Sequence, residues 1–405
     1  MTVIALTGQT FNPASLLALV RGWRYVAGKR DLRLDLLRGF ACFAMVVDHV
    51  GGRDSFLYPL TGGNRFFVSA AEAFVFIAGL TMGCVYTGLI ARDGLRAAVV
   101  KALRRSASLY WTTLKLTFGF AAVSYALGLP WAPQLTASEL PGWALGVVTF
   151  HQTYFLTDIP LLYALLIFAA APLLVALAMG QTRWVVLGSW AVWAAWQVMP
   201  EQAHVPWEIR GNTVFNVAAW QVLFVNGLAI GFHRRALERR LAGLSPWAVL
   251  ATTGALAAGA ALLWCTQERP GGLLADGSLL AQQLHGKADV PLGRIAVFAV
   301  FFAFLYAAVS VAWAPLERAL GWLLLPLGQN ALTAYALHLF VTAVLARFLP
   351  TWSAVRTPAE NTAIQMVGVL LVWGIITLRP AVPAHIAALL ARRPLAAPVA
   401  SPAAA

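Results

Sequence analysis

Charge is what this chain has least of. Only 11% of its 405 residues are Asp, Glu, Lys or Arg, where a soluble protein carries about a quarter. Mean hydropathy is +0.73, and apolar runs of about 18 or more residues, enough to cross roughly 30 Å of hydrocarbon, recur from end to end. That excludes a soluble globular domain and predicts an all-α polytopic membrane protein. Cysteine is also scarce: Cys42, Cys84 and Cys265 fall in or at the edge of apolar segments and form no CxxC pair. Neither a disulfide framework nor a metal site is expected. Acidic residues number 16 against 29 basic ones, a net charge of +13. In a membrane chain such a surplus collects in cytoplasmic loops, so no nucleic-acid partner is expected. The early apolar patch "PASLLALV" is followed by arginines where a small-residue cleavage site should lie, which argues against a cleavable signal peptide.

Hydropathy with Gly/Pro and charge breaks gives about ten candidate spans, at 34–52, 66–90, 106–128, 159–179, 183–199, 213–232, 247–266, 291–313, 322–346 and 361–380. Residues 130–158 are too polar to span and predict a folded extramembrane or re-entrant loop. With the N-terminus inside, 19 of the 29 Lys and Arg residues fall on the cytoplasmic side and 8 on the other. Arg38 and Lys115 lie within spans. The asymmetry predicts both termini in the cytoplasm. It divides the chain into a cytoplasmic segment 1–30, a transmembrane domain 31–380 and a cytoplasmic Ala/Pro-rich tail 381–405, read as disordered. No internal repeat is visible, which counts mildly against a secondary transporter.

The first span, "LDLLRGFACFAMVVDHVGG", carries Asp35, Arg38, Asp48 and His49. Arg38 and His49 are eleven residues apart, three helical turns plus about 20°, so they share a face and stand roughly 16 Å apart along the axis. Asp35 can pair with Arg38. Asp48 points about 100° away from His49, toward a neighbouring helix. An end-of-helix ion pair and an interfacial histidine would account for each residue singly. Four ionisable residues on one span mark a functional path instead: a guanidinium for phosphate or carboxylate, an imidazole for proton transfer.

The "LDLLRG…DH" pattern resembles the transmembrane acyltransferase superfamily, which includes the acyltransferase 3 group and the heparan glucosaminide acetyltransferase. Four further stretches, "FFVSAAEAFVFIAGLTMG", "HQTYFLTDIPLLYALL", "FNVAAWQVLFVNGLAIG" and "LGQNALTAYALHLF", resemble the osmoregulated periplasmic glucan succinyltransferase (OpgC) family. The likeness runs in order from about Arg30 to about Pro380. It implies transfer of an acyl group from cytoplasmic acyl-CoA (succinyl-CoA or acetyl-CoA, a cosubstrate rather than a tightly bound cofactor) to a glycan hydroxyl across a bacterial inner membrane. Under it His49 is the general base, with a transient acyl-imidazole as the other role open to it. Arg38 contacts the donor or builds the pocket, and Glu72 orients His49, pairs with Arg38 or serves helix packing.

His151, Gln152, Tyr154, Thr157 and Asp158 form either an acceptor-side wall for a sugar or an interfacial aromatic belt. Asn216, Trp220 and Gln221, and likewise Asn330 and His338, line the pocket or act as interhelical glue. Arg92, Arg96, Lys101, Arg104 and Arg105 are a positive-inside loop that also suits the phosphates of CoA. Lys115 either snorkels or binds an anion. The expected partners are acyl-CoA, a glycan acceptor and the bilayer, with a homodimer allowed. Within the enzyme reading, the acyl group can instead be acetyl and the acceptor another envelope polysaccharide. Outside it stand a proton-coupled transporter relaying through Asp35, Glu72 and His49, and a non-catalytic scaffold.

Overall fold

A computed structural model describes residues 21–26, 28, 30–266, 273–274, 278–352 and 355–378. The tail 381–405 and most of the segment 1–30 lie outside the described residues. Helix follows helix: α1 Leu32–Val50, α2 Tyr58–Thr61, α3 Ala70–Ala126, α4 Leu140–Val148, α5 Asp158–Ala178, α6 Thr182–Val198 and α7 Val217–Phe232. After these come α8 Arg234–Leu241, α9 Pro246–Trp264, α10 Leu279–His285, α11 Leu292–Val311, α12 Trp313–Gln329, α13 Ala331–Phe348 and α14 Pro358–Leu378. Among the described residues the β pairing is one isolated bridge, Gln152 to Arg210.

Six of these helices (α3, α5, α9, α11, α13 and α14) are long and apolar enough to cross a membrane. The expected spans at 66–90 and 106–128 are both contained in α3. A straight helix of 57 residues would extend about 85 Å, far beyond one bilayer. Gly94, at φ 83° and ψ 165°, breaks it into two, a conformation open to glycine and costly elsewhere. The expected span at 322–346 instead joins parts of two helices. Residues 322–329 end α12, and the chain restarts at Ala331. α6 and α7 have 17 and 16 residues, and α1 carries four charged side chains (Arg33, Asp35, Arg38 and Asp48) in 19 residues. The loop 130–158 is folded, as its polarity predicts. It contains α4, and Tyr154 closes it by donating from its hydroxyl to the Trp131 carbonyl at 2.9 Å.

Glycine sets how closely the central helices pack. A Cβ on Gly79 or Gly83 of α3 would meet α7 backbone at 2.1 and 2.3 Å, and one on Gly227 or Gly231 of α7 would meet α3 backbone at 2.4 and 2.1 Å. Two GxxxG patterns therefore interlock, each removing the side chain that would hold the other backbone off. Gly39 of α1 and Gly328 of α12 do the same where those helices cross. α1 is thus held in the middle of the molecule, with Cys42 and Val47 fully buried.

Candidate active site

α1 opens with Asp31 as its N-cap, the side chain accepting from the Arg33 amide. It ends at Gly51, whose φ of 71° lets the chain turn immediately after the last residues of the helix. That turn leaves His49 in the final turn, on the wall of a cavity of about 580 Å³. The cavity lies where the C-terminal ends of α1 and α13 meet the N-terminal ends of α3 and α5, the approach to α7 and the loop between α10 and α11. Six aromatic side chains contribute to its walls: Phe74, Trp131, Phe155, Phe215, Tyr335 and Trp352.

His49 does not act alone. Its Nδ1 lies 2.9 Å from Nε2 of His338, which is fully buried in α13. His338 Nδ1 is in turn hydrogen-bonded to the Tyr335 carbonyl. A carbonyl only accepts, so His338 carries its proton on Nδ1, and the neutral ring presents a lone pair at Nε2. His49 must then donate from Nδ1. The proton positions follow from this network, and they leave the lone pair of His49 on Nε2, the nitrogen not engaged by His338. Tyr335 is fixed as well, its hydroxyl donating to the Leu156 carbonyl at 2.6 Å. A backbone carbonyl thus dictates, through one histidine, the tautomer of the next.

The other residues singled out from the sequence divide. Asp48 lines the cavity and accepts from Thr61 Oγ1 at 2.8 Å, so it turns to a neighbouring segment as its angular offset from His49 predicts. Asp158 also lines the cavity, with the Ile159 amide donating to its Oδ1 at 3.1 Å. Arg38, 17% exposed, lies outside the cavity lining. It donates to Thr81 Oγ1 at 2.8 Å and stands 3.6 Å from Asp35. The tighter partner of Asp35 is Arg30, which binds it through two nitrogens at 2.5 and 2.8 Å.

Glu72 meets neither His49 nor Arg38. Its Oε1 pairs with Arg294 at 2.5 Å, both side chains being almost wholly buried, and its Oε2 accepts from Ser69 backbone and hydroxyl in a capping box that starts α3. A buried carboxylate at that point needs a cation, and Arg294 of α11 supplies it.

On the loop side, His151 is exposed and stacked on Trp207, with ring centroids 4.9 Å apart. Gln152 joins the bridge to Arg210, and buried Tyr154 ties the loop as described. None of the three lines the cavity. Asn216 caps α7, Trp220 is fully buried with its indole donating to the Val214 carbonyl, and Gln221 exchanges two hydrogen bonds with Ser189 of α6. Gln221 thus ties α7 to α6, whereas the bonds of Asn216 and Trp220 are local to the start of α7. Asn330 is exposed at the α12–α13 junction, bonded to the Pro326 carbonyl. Arg92, Arg96, Lys101, Arg104, Arg105 and Lys115 are all exposed along α3, away from the cavity; Arg92 is paired with Asp93.

Two cations that matter were counted in the sequence only as loop charges. Arg294 opens an apolar run, "RIAVFAVFF", and the buried Glu72 calls for such a partner. Lys287, in "HGKAD", is the cation that lines the cavity beside His49; nothing in its local sequence separates it from other loop lysines.

A model of the family described as OpgC protein matches residues 30–381. No curated protein and no solved structure matches the chain significantly.

Proposed function

This chain belongs to the OpgC protein family, and from that premise we propose that it is an integral-membrane O-acyltransferase. The group moved is an acyl group, succinyl being favoured, from a cytoplasmic acyl-CoA to hydroxyls of a periplasmic or exported glycan. The observation that carries the reading is the ordered pair His49–His338 on the wall of an aromatic cavity.

In this mechanism His49 Nε2 takes the proton of the acceptor hydroxyl as its oxygen attacks the thioester carbonyl carbon. The C–O bond forms, the C–S bond breaks, and the thiolate leaves with the proton that the imidazolium returns. His338 holds His49 in the tautomer this requires and spreads the charge that develops on it. A positioned base of this kind contributes about 10²–10⁴-fold. The aromatic walls suit the faces of sugar rings, and Asp48 and Asp158 offer acceptors for sugar hydroxyls.

The same reading keeps both termini in the cytoplasm of an inner-membrane protein of about ten spans. It draws support from the way the structure sorts its charges. Arg33 and Arg234 gather around Asp31 at the start of α1, while the cavity lies at the other end of that helix. A proton relay for transport finds less support, because Asp35 and Glu72 are each held by an arginine and no hydrogen bond links either to His49.

The test is thiol release by purified protein given succinyl-CoA or acetyl-CoA, with and without periplasmic glucan, beside His49→Ala. Glucan-dependent release that falls by about 10²–10⁴-fold in the variant is expected. Folded protein that releases no thiol with either donor would count against acyl transfer and make substrate transport the next measurement.

A further inference from the structure

Besides His49, the cavity is lined by two carboxyl side chains, Asp48 and Asp158, and by the amine of Lys287. The two carboxylates are engaged, by Thr61 and by the Ile159 amide. Lys287 is not comparably engaged. Its ammonium reaches Asn64 Oδ1 at 3.4 Å and stands 5.9 Å from the centre of the Phe215 ring, and it forms no ion pair within 4.0 Å among the described residues. Lysine has three N–H donors and no acceptor, so two remain without a hydrogen-bond partner among the described residues on a side chain that lines the cavity.

The neighbouring cations at this end of the molecule are differently placed. Arg294 is held by Glu72 and the Leu284 carbonyl, and Arg65 by the Arg53 carbonyl on the exposed surface. Burial lowers the Lys287 pKa, against the pull of Glu72, Asp48 and Asp158. A cation desolvated without a close counter-charge is costly unless a ligand completes it. An acyl group ending in a methyl leaves that cost in place; one ending in a carboxylate removes it with a charge-assisted hydrogen bond.

We propose that Lys287 is the specificity-determining residue for the donor, its ammonium binding the distal carboxylate of a dicarboxylic acyl thioester while His49 serves the acceptor hydroxyl. This rests on the acyl-transfer reading above and names the class of donor that the cavity accepts. An anionic substituent on the glycan could present the same chemistry, so the acceptor in the test is a neutral glucan and only the donor varies.

The experiment compares succinyl-CoA with butyryl-CoA, which has a methyl group where succinyl has its carboxylate. Thiol release is measured with purified full-length protein, Lys287→Met and Lys287→Arg. Wild-type protein is expected to favour succinyl-CoA in kcat/KM by about tenfold or more, as a site with a polar group built for its ligand discriminates against an analogue lacking the partner. Lys287→Met should lose that preference with butyryl-CoA turnover within about threefold of wild type, and Lys287→Arg should retain part of it.

A wild-type enzyme indifferent between the donors, or a variant that loses both equally, overturns the proposal. A parallel measurement separates it from the acyl-transfer reading, namely the thermal stabilisation of detergent-solubilised protein by monomethyl succinate against methyl butyrate, the ester standing for the thioester so that only the first carries a carboxylate. If no donor turns over, acyl transfer falls. Stabilisation selective for monomethyl succinate and lost in Lys287→Met would then uphold carboxylate binding at Lys287, and its absence from wild type would overturn it.

Discussion

The two ends of α1 carry similar residues and use them oppositely. At its start Asp31 is gripped by Arg33 at 2.9 Å and Arg234 at 2.5 Å, with the Tyr306 hydroxyl at 3.4 Å. Arg33 is itself sandwiched between the rings of Tyr25 and Tyr306, and Asp35 is chelated by Arg30. Each of these charges has a near partner, and the result is a clasp joining the N-terminal segment, α1, α8 and α11. At the other end His49 meets a second imidazole rather than a carboxylate, and Lys287 has no carboxylate within 4.0 Å among the described residues. The start of α1 is thus a set of closed ion pairs, and the cavity end is not.

That contrast can be broken by experiment. The largest loss of stability is expected from the buried pair at the head of α3. Glu72→Gln strands Arg294 with its charge uncompensated, and about 3–5 kcal/mol should be lost, read as thermal unfolding in detergent. A Glu72→Gln protein of normal stability would show that the pair is not what holds α3 to α11.

Next comes the histidine that positions His49. His338→Leu removes the acceptor for His49 Nδ1–H and should lower thiol release by about 10–100-fold, the range for losing a group that orients an imidazole. His338→Gln, which offers an oxygen near the former Nε2, should recover part of that and restore the shape of the pH–rate profile. Equal losses in both variants would make His338 a packing residue only.

The clasp should respond more mildly. Asp31→Asn is expected to cost about 1.5–3 kcal/mol, the range for hydrogen bonds to charged groups. Burial pushes the Asp31 carboxyl up, but Arg33 and Arg234 together bring it below its ordinary value. Its contribution is therefore complete above the usual carboxylate range and is lost as pH falls through the lowered value. Acid titration of stability should show this limb in wild type and not in Asp31→Asn. Smallest of all is Lys115→Gln, exposed on α3 and outside the cavity, which should change neither stability nor turnover measurably.

The residues that stand out in the letters only partly coincide with the cavity wall, which takes Asp48, His49 and Asp158 but neither Arg38 nor Glu72. Asp35, Arg38, Asp48 and His49 stand out because ionisable groups in an apolar helix are rare, and helical geometry alone separates the direction of Asp48 from that of His49. Glu72 stands out for the same reason, yet its partner does not, because an arginine at the mouth of a distant apolar run looks like any other flanking charge. The GxxxG pairs are present in the letters, but only the crossing of α3 and α7 shows that the two patterns face each other. The expected span at 322–346 fails at its start because hydropathy is continuous through Asn330 while the backbone is not.

Composition and periodicity by themselves determined an all-helical membrane protein with ionisable residues in its first apolar helix, since the free energy of burying apolar and charged groups in a bilayer depends on residue type and local spacing. Tertiary structure alone decided which charges are answered. Pairing of Glu72 with Arg294, of His49 with His338 and the isolation of Lys287 all join residues far apart in the chain, and electrostatic and hydrogen-bond energies depend on separation in space.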